Sequence, residues 1–274
     1  SYLEDVFTSF NYDLDNSLNV LSNEEEKLLY DFFAKDICIS LKCLELSILE
    51  KKLIGINSLN NICLQLTNML NMQNHNSQMK FLVQFKAKTI INIFDLHNIY
   101  EIIFGANIHQ AIISKSVFVL KFLYRNNKLN TNQIANMWKL AQEKHQSIRE
   151  SIFCTMSELI ALFSVEDANY IINLINEMQY KEISEYTLNL VESIANAINN
   201  EEQKKNIIRI LFNYSREDNF DFGLDKRIII KSRTIFAKVL LNEKYKNFLL
   251  KYLKKFAINI ACHRYLNTSL CVLN

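Results

Sequence analysis

At 274 residues, with 31 Lys and Arg against 29 Asp and Glu, the chain can bury a large core and carries a net charge of only +2. It has no Pro and three Gly (Gly55, Gly105, Gly223). That removes the commonest helix breakers and argues against turn-rich all-β folds and glycine-rich phosphate loops. Turns fall to Asn, Asp and Ser, which tolerate left-handed backbone or bond their own main chain. No run reaches the roughly 18 uncharged apolar residues of a membrane span. The opening SYLEDVF lacks an initiator Met and the order of a signal peptide, so a fragment of a longer chain is expected. Six scattered Cys (38, 43, 63, 154, 262, 271) without a CxxC pair suit a reducing, cytoplasmic setting. Charge is uneven: residues 1–50 hold three basic and eleven acidic side chains, residues 201–274 fifteen and seven. Such polarity attracts different partners to the two ends, although solvated helix faces explain it more plainly.

In chain order, SNEEEKLLYDFFAKDI predicts a helix capped by Ser22 with Glu25 as capping-box partner. In KKLIGINSLNNICLQLTNML, Ile56, Leu59, Cys63, Leu66 and Leu70 share one stripe, with Gly55 inside it at modest cost. The polar stretch 71–78 predicts a loop and a possible internal boundary of one helical-repeat region spanning 1–274. MKFLVQFKAKTIINIF and DLHNIYEIIF read as largely buried helices. Gly105 follows where a C-terminus wants a left-handed residue, with a turn at GAN. Residues 106–127 place Ile108, Ile112, Val119 and Leu123 on one face. TNQIANMWKLAQ is a short helix capped by Thr131. The next carries Ile148, Ile152, Met156, Leu159 and Phe163. Ser164 with Asp167 and then Ser184 open further helices. The pattern continues through EEQKKNIIRILFNY, a polar loop SREDNFDFG, LDKRIIIKSRTIFAKVLL and NEKYKNFLLKYLKKFAINIA.

No β alternation intervenes. Pairs at 107–143, 145–178 and 184–214 fit the roughly 40 to 47 residue period of HEAT or armadillo repeats. The expected fold is all-α, an armadillo/HEAT-like α-solenoid of antiparallel helix pairs, with a compact helical bundle as the alternative.

Chemistry is sparse. Trp138 shares a stripe with Ile134 and Met137 and reads as core, and His145 reads as a turn residue that caps or bonds backbone. Cys154, nine helical steps on, faces away from His145, so no dyad forms within that helix. His75, His97, His109 and His263 show no HExxH pattern, and no Cys pair has zinc spacing. Glu24 to Glu26 suit the first turn of a helix. Lys244, Lys251, Lys254 and Lys255 read as a basic face turned away from Tyr245, Leu249, Tyr252 and Phe256. Such a face can meet acidic protein, membrane or nucleic acid, though a solvated face is the plainer reading. No cofactor, metal or catalytic residue is expected.

Residues 104–163 resemble the helical region upstream of the catalytic domain in large fat facets-type ubiquitin carboxyl-terminal hydrolases. That region has F-x-x-x-x-H-Q, an apolar helix, a Leu-Thr turn, an I-W dipeptide and A-x-x-x-K-H opening the next helix. Phe104, His109 and Gln110 match the first part, and Leu129, Thr131, Met137, Trp138, Ala141, Lys144 and His145 the rest. Asn130 between Leu and Thr, and Met137 for Ile, are departures. KKLIGINSLNNI resembles an earlier element and IIRILFNYS a later one, with Phe212 for Trp. The resemblance implies an armadillo-like scaffold whose motif residues Phe104, His109, Trp138, Lys144 and His145 are structural. The family's Cys box and Tyr-rich His box are absent from the sequence, so this stretch is expected to lack hydrolase activity. The expected function is a non-catalytic scaffold holding substrates or regulators of the ubiquitin pathway for a catalytic domain outside these residues. The alternative is a free-standing HEAT/armadillo adaptor in transport or complex assembly. Proteins, substrates or regulators of the ubiquitin pathway, are the expected partners, with no membrane span and without nucleic acid.

Overall fold

The computed structural model describes residues 23–71, 77–105, 107–262, 264–265 and 268–270. Among the described residues every regular element is helical and none is a strand. The chain divides into two compact units, Ser1–Asn126 and Asn127–Asn274.

Unit 1 contains α1 (Asn23–Glu45), α2 (Leu49–Asn71), α3 (Ser77–Leu96), α4 (Ile99–Phe104), α5 (Gln110–Lys115) and α6 (Val117–Arg125). Helix α2 lies along α1 on one side and against α5 and α6 on the other. Its stripe of Ile56, Leu59, Cys63 and Leu66 is buried, but Leu70, near its C-terminal end, is exposed. At Gly55 a Cβ would meet Ser40 O at 2.4 Å and Cys43 Cβ at 3.0 Å. The residue is therefore the contact point of two helices, and its poor helix propensity is offset by their close approach. Beside it Ser40 Oγ and Ser58 Oγ are bonded at 2.8 Å. Asn60 Oδ1 accepts from Phe118 N–H at 2.7 Å, tying α2 to the start of α6.

Three local expectations change here. Asn98, left-handed at φ 45°, separates α3 from α4. Gly105 is extended (φ −76°, ψ −159°) rather than left-handed, and its N–H closes onto Glu101 O at 2.8 Å. The helix expected across 106–127 is two helices broken at the fully buried Ser116, whose Oγ donates to Ile113 O at 2.8 Å. Ser22, residues 72–76 of the expected loop, and Ala106 of the GAN turn lie outside the described residues.

Unit 2 contains α7 (Thr131–Glu143), α8 (Gln146–Leu159), α9 (Val165–Glu177), α10 (Glu185–Ala197), α11 (Glu201–Ser215), α12 (Lys226–Leu241) and α13 (Lys246–Ala261). Short 3₁₀ turns join several of them. Helices α7, α9 and α11 follow one another in one row, and α8, α10 and α12 in a second, with each consecutive pair bridging the rows. Rings of α11 and α13 extend the first row. Caps set the helix starts: Ser164, Ser184, Asn200 and Asp225 each accept a backbone N–H of the first turn. The cap of α7 is Asn130, which forms a capping box with Gln133, and not the expected Thr131. Thr131 Oγ1 instead donates across the row to the buried Asp167 carboxylate at 2.7 Å.

Polar bonds recur between successive repeats. Gln203 Nε2 donates to Val165 O at 2.9 Å, Tyr214 Oη to Ile175 O at 2.9 Å and Tyr245 Oη to Ala195 O at 2.8 Å. Lys231 and Lys238 of α12 pair with Glu185 and Glu192 of α10. These partners stand 36 to 50 residues apart in the chain. That is one helix-pair repeat, so each repeat is fastened to the next.

Candidate interaction surface

The motif residues occupy joints between helices. Phe104 is buried at the end of α4 with its ring 5.0 Å from Tyr100. Trp138 is 7% exposed and lies 5.2 Å from the Phe153 ring of α8. A tilted aromatic pair of this kind contributes about 0.5–1.5 kcal/mol beyond area burial. His109 and His145 do the same task at two places: each is an N-cap whose Nδ1 accepts a first-turn backbone N–H, Ala111 at 3.2 Å and Ser147 at 3.3 Å. Each therefore needs Nδ1 unprotonated, with the ring proton on Nε2. Lys144 is exposed, and its backbone N–H closes α7 onto Leu140 O at 3.0 Å. The residues from Trp138 to His145 are a hinge between α7 and α8, tightened by Arg149, whose Nε donates back to Ala141 O at 2.8 Å.

The described cysteines range from buried Cys63 through half-buried Cys38 and Cys43 to exposed Cys154 and Cys262. Cys63 is buried, and burial pushes its thiol pKa up. Cys154 is exposed on α8, yet its pKa is also raised, by residual burial and by the carboxylates of Glu150 and Glu158. A thiol between two carboxylates is held in its unreactive form. Among the described residues no group of three or more His, Cys, Asp and Glu could hold a metal ion, and no helix is long and apolar enough to cross a membrane.

The richest surface chemistry lies where α11 meets α13. Phe212 is the hub, its ring 5.7 Å from Tyr252, 6.1 Å from Phe236, 6.2 Å from Tyr265 and 6.4 Å from Phe256. Phe236 and Phe256 are fully buried, whereas Tyr252 and Tyr265 are half-buried. Lys255 does not turn away from the rings as expected: its Nζ stands 3.8 Å from the Phe212 centroid and 5.5 Å from that of Tyr252. The attraction of an ammonium to ring faces outweighs full solvation at this spot. Arg216 covers Tyr265 at 4.6 Å and forks onto Asp218, with Nε at 3.1 Å from Oδ1. Burial and the neighbouring charges of Arg216 and Lys251 lower the Lys255 pKa. Burial raises that of Tyr252, and Arg209 pulls it part of the way back. Sequence reading missed this cluster because it treated α13 alone. The available signal was Arg209 and Phe212 one turn apart on α11, with Arg216 just past the end of that helix.

Helix pairs in two rows, fastened at repeat-length separations, define an armadillo-type helical-repeat protein. The UBP24/USP9X/USP9Y ARM repeat family model matches residues 32–269, and the chain belongs to that family. It is 30% identical over 112 residues, 41% of its length, to ubiquitin carboxyl-terminal hydrolase 34 of Homo sapiens and equally to that of Mus musculus. It is 25% identical over the same length to ubiquitin carboxyl-terminal hydrolase puf of Drosophila melanogaster. The chain spans 3% of the length of these relatives.

Proposed function

We propose that the chain is one non-catalytic helical-repeat region of a large cytoplasmic ubiquitin-specific protease, holding substrate or regulatory proteins for a catalytic domain outside these residues. The observation that carries this reading is the family match over residues 32–269, and the named relatives are all ubiquitin carboxyl-terminal hydrolases. The raised thiol pKa values of Cys63 and Cys154 favour it, since a thiol protease needs a thiolate beside a base. The arrangement suits holding rather than chemistry: repeats fastened to their neighbours present extended surfaces for other proteins.

The test has two parts. The reading frame that encodes these residues should also encode a Cys box and a His box. Excising residues 32–269 from that protein should leave hydrolysis of a small ubiquitin ester intact while lowering hydrolysis of its native conjugates. A reading frame without the two boxes would overturn the proposal in favour of a free-standing adaptor. Loss of small-ester hydrolysis, with the remaining domain still folded, would show that the repeats belong to the catalytic machinery.

A further inference from the structure

We propose that the face formed by Arg209 and Arg216 of the α11 end and Lys251 and Lys255 of α13, over the half-buried rings of Tyr252 and Tyr265, is a docking surface for an acidic extended segment of a partner protein. This deepens the scaffold reading and rests on it. The first observation is uncompensated charge. Several cations of unit 2 have a carboxylate partner: Lys204 pairs with Glu201, Lys205 with Glu202, Lys231 with Glu185, Lys238 with Glu192 and Arg233 with Glu217. Arg216 has Asp218. Among the described residues, no carboxylate stands within ion-pair distance of Arg209, Lys251 or Lys255.

The second observation is proximity. Lys255 is close enough to Arg216 and Lys251 to be disfavoured by both, and Tyr252 is close enough to Arg209 to respond to it. Four like charges gathered with one counter-ion, the Asp218 carboxylate on Arg216, raise the energy of the free protein, and a polyanionic partner relieves it. The third observation selects the kind of anion. The Phe212, Tyr252 and Tyr265 rings already have cations over them, Lys255 on the first two and Arg216 on the third. A nucleobase would need those ring faces for stacking. A carboxylate needs only the N–H donors of the cations, and apolar side chains between carboxylates can use the exposed parts of Tyr252 and Tyr265.

The experiment measures binding of a fluorescein-labelled synthetic peptide, Glu alternating with Leu, to the full chain by anisotropy at low and physiological salt. The triple variant Arg209→Gln, Lys251→Gln, Lys255→Gln is compared with Lys205→Gln, Lys231→Gln, Lys238→Gln, which removes the same charge from paired sites. A double variant, Arg209→Gln with Lys251→Gln, leaves the Lys255 ring contacts intact should the triple variant misfold. Expected are a loss of affinity of at least tenfold in the triple variant, an intermediate loss in the double, and a change within twofold in the paired-site control. Equal losses in the two triple variants would overturn the proposal, as would no peptide binding by the parent chain. It would equally fall if duplex DNA or phosphatidylserine vesicles bind more tightly than the peptide through the same three residues. The excision experiment does not depend on these cations, so failure here leaves the scaffold reading standing and its own failure is seen separately.

Discussion

In unit 1 the α1–α2 pair closes on a glycine, with Gly55 against Ser40 O and the Ser40–Ser58 hydroxyl bond beside it. In unit 2 the corresponding work is done by side chains that reach one repeat further, such as Tyr214 to Ile175 O and Tyr245 to Ala195 O. The first device is local, joining two helices 18 residues apart at its hydroxyl pair. It fixes one helix pair without specifying a repeat. The second joins each repeat to its neighbour, so unit 2 gains nearest-neighbour coupling and leaves its outer faces free to vary. A scaffold that must present a surface benefits from that separation of tasks.

The largest expected effect is in unit 2. Trp138→Ala removes a 7% exposed ring stacked near Phe153 and should cost about 3 to 5 kcal/mol in urea unfolding. A loss under about 1 kcal/mol would mean that the joint repacks and that α7 and α8 are held by other means. The contrasting test in unit 1 is Gly55→Ala. Alanine is the better helix former by about 1 kcal/mol, yet its Cβ would strike Ser40 O, so a net loss of about 1 to 3 kcal/mol is expected. Stabilisation by this substitution would show that α1 and α2 can part without cost.

The tyrosine bonds give a smaller effect with a pH signature. Tyr214→Phe and Tyr245→Phe should each cost about 1 kcal/mol near neutral pH. Burial raises both hydroxyl pKa values in the folded chain, with Tyr180 adding to the first and Glu201 to the second. A folded-state pKa above the unfolded one favours the protonated hydroxyl in the fold. The contribution is therefore complete below the unfolded value of about 10 and is lost as pH rises through the folded values. The parent's stability should fall above pH about 10 more steeply than that of the Tyr214→Phe, Tyr245→Phe variant. Parallel pH profiles would contradict the bonds.

An effect of similar size concerns a cap. His145→Ala should cost about 0.5–2 kcal/mol, whereas His145→Asn should recover most of it because Asn offers an acceptor to the same N–H. Equal losses in both would mean the imidazole acts through contacts other than Nδ1.

Much of unit 2 was legible because its helices are short and amphipathic, and α9 to α12 are each opened by Ser, Asn or Asp, so stripe and cap agree at those starts. Ser164 and Ser184 are caps where the pattern placed them. The misses are of three kinds. Asn130 and Thr131 both suit a cap, and only the position of Asp167, 36 residues on, decides that Thr131 faces the next repeat. The break at Ser116 was missed because its hydroxyl and backbone N–H both answer to the Ile113 carbonyl, which periodicity does not reveal. The cation–aromatic surface was hidden for a third reason: its parts come from α11, α13 and the segment holding Tyr265, and only the fold brings them together.

The most direct measurement of the scaffold reading is exposure of the purified chain to a ubiquitin probe that captures active-site thiols, read by mass spectrometry. The account predicts no covalent adduct, including at Cys154, which is accessible but held in its thiol form by partial burial and by Glu150 and Glu158. A stoichiometric adduct that disappears when a single cysteine is replaced, Cys154→Ser foremost, would contradict the scaffold reading and make these residues an enzyme.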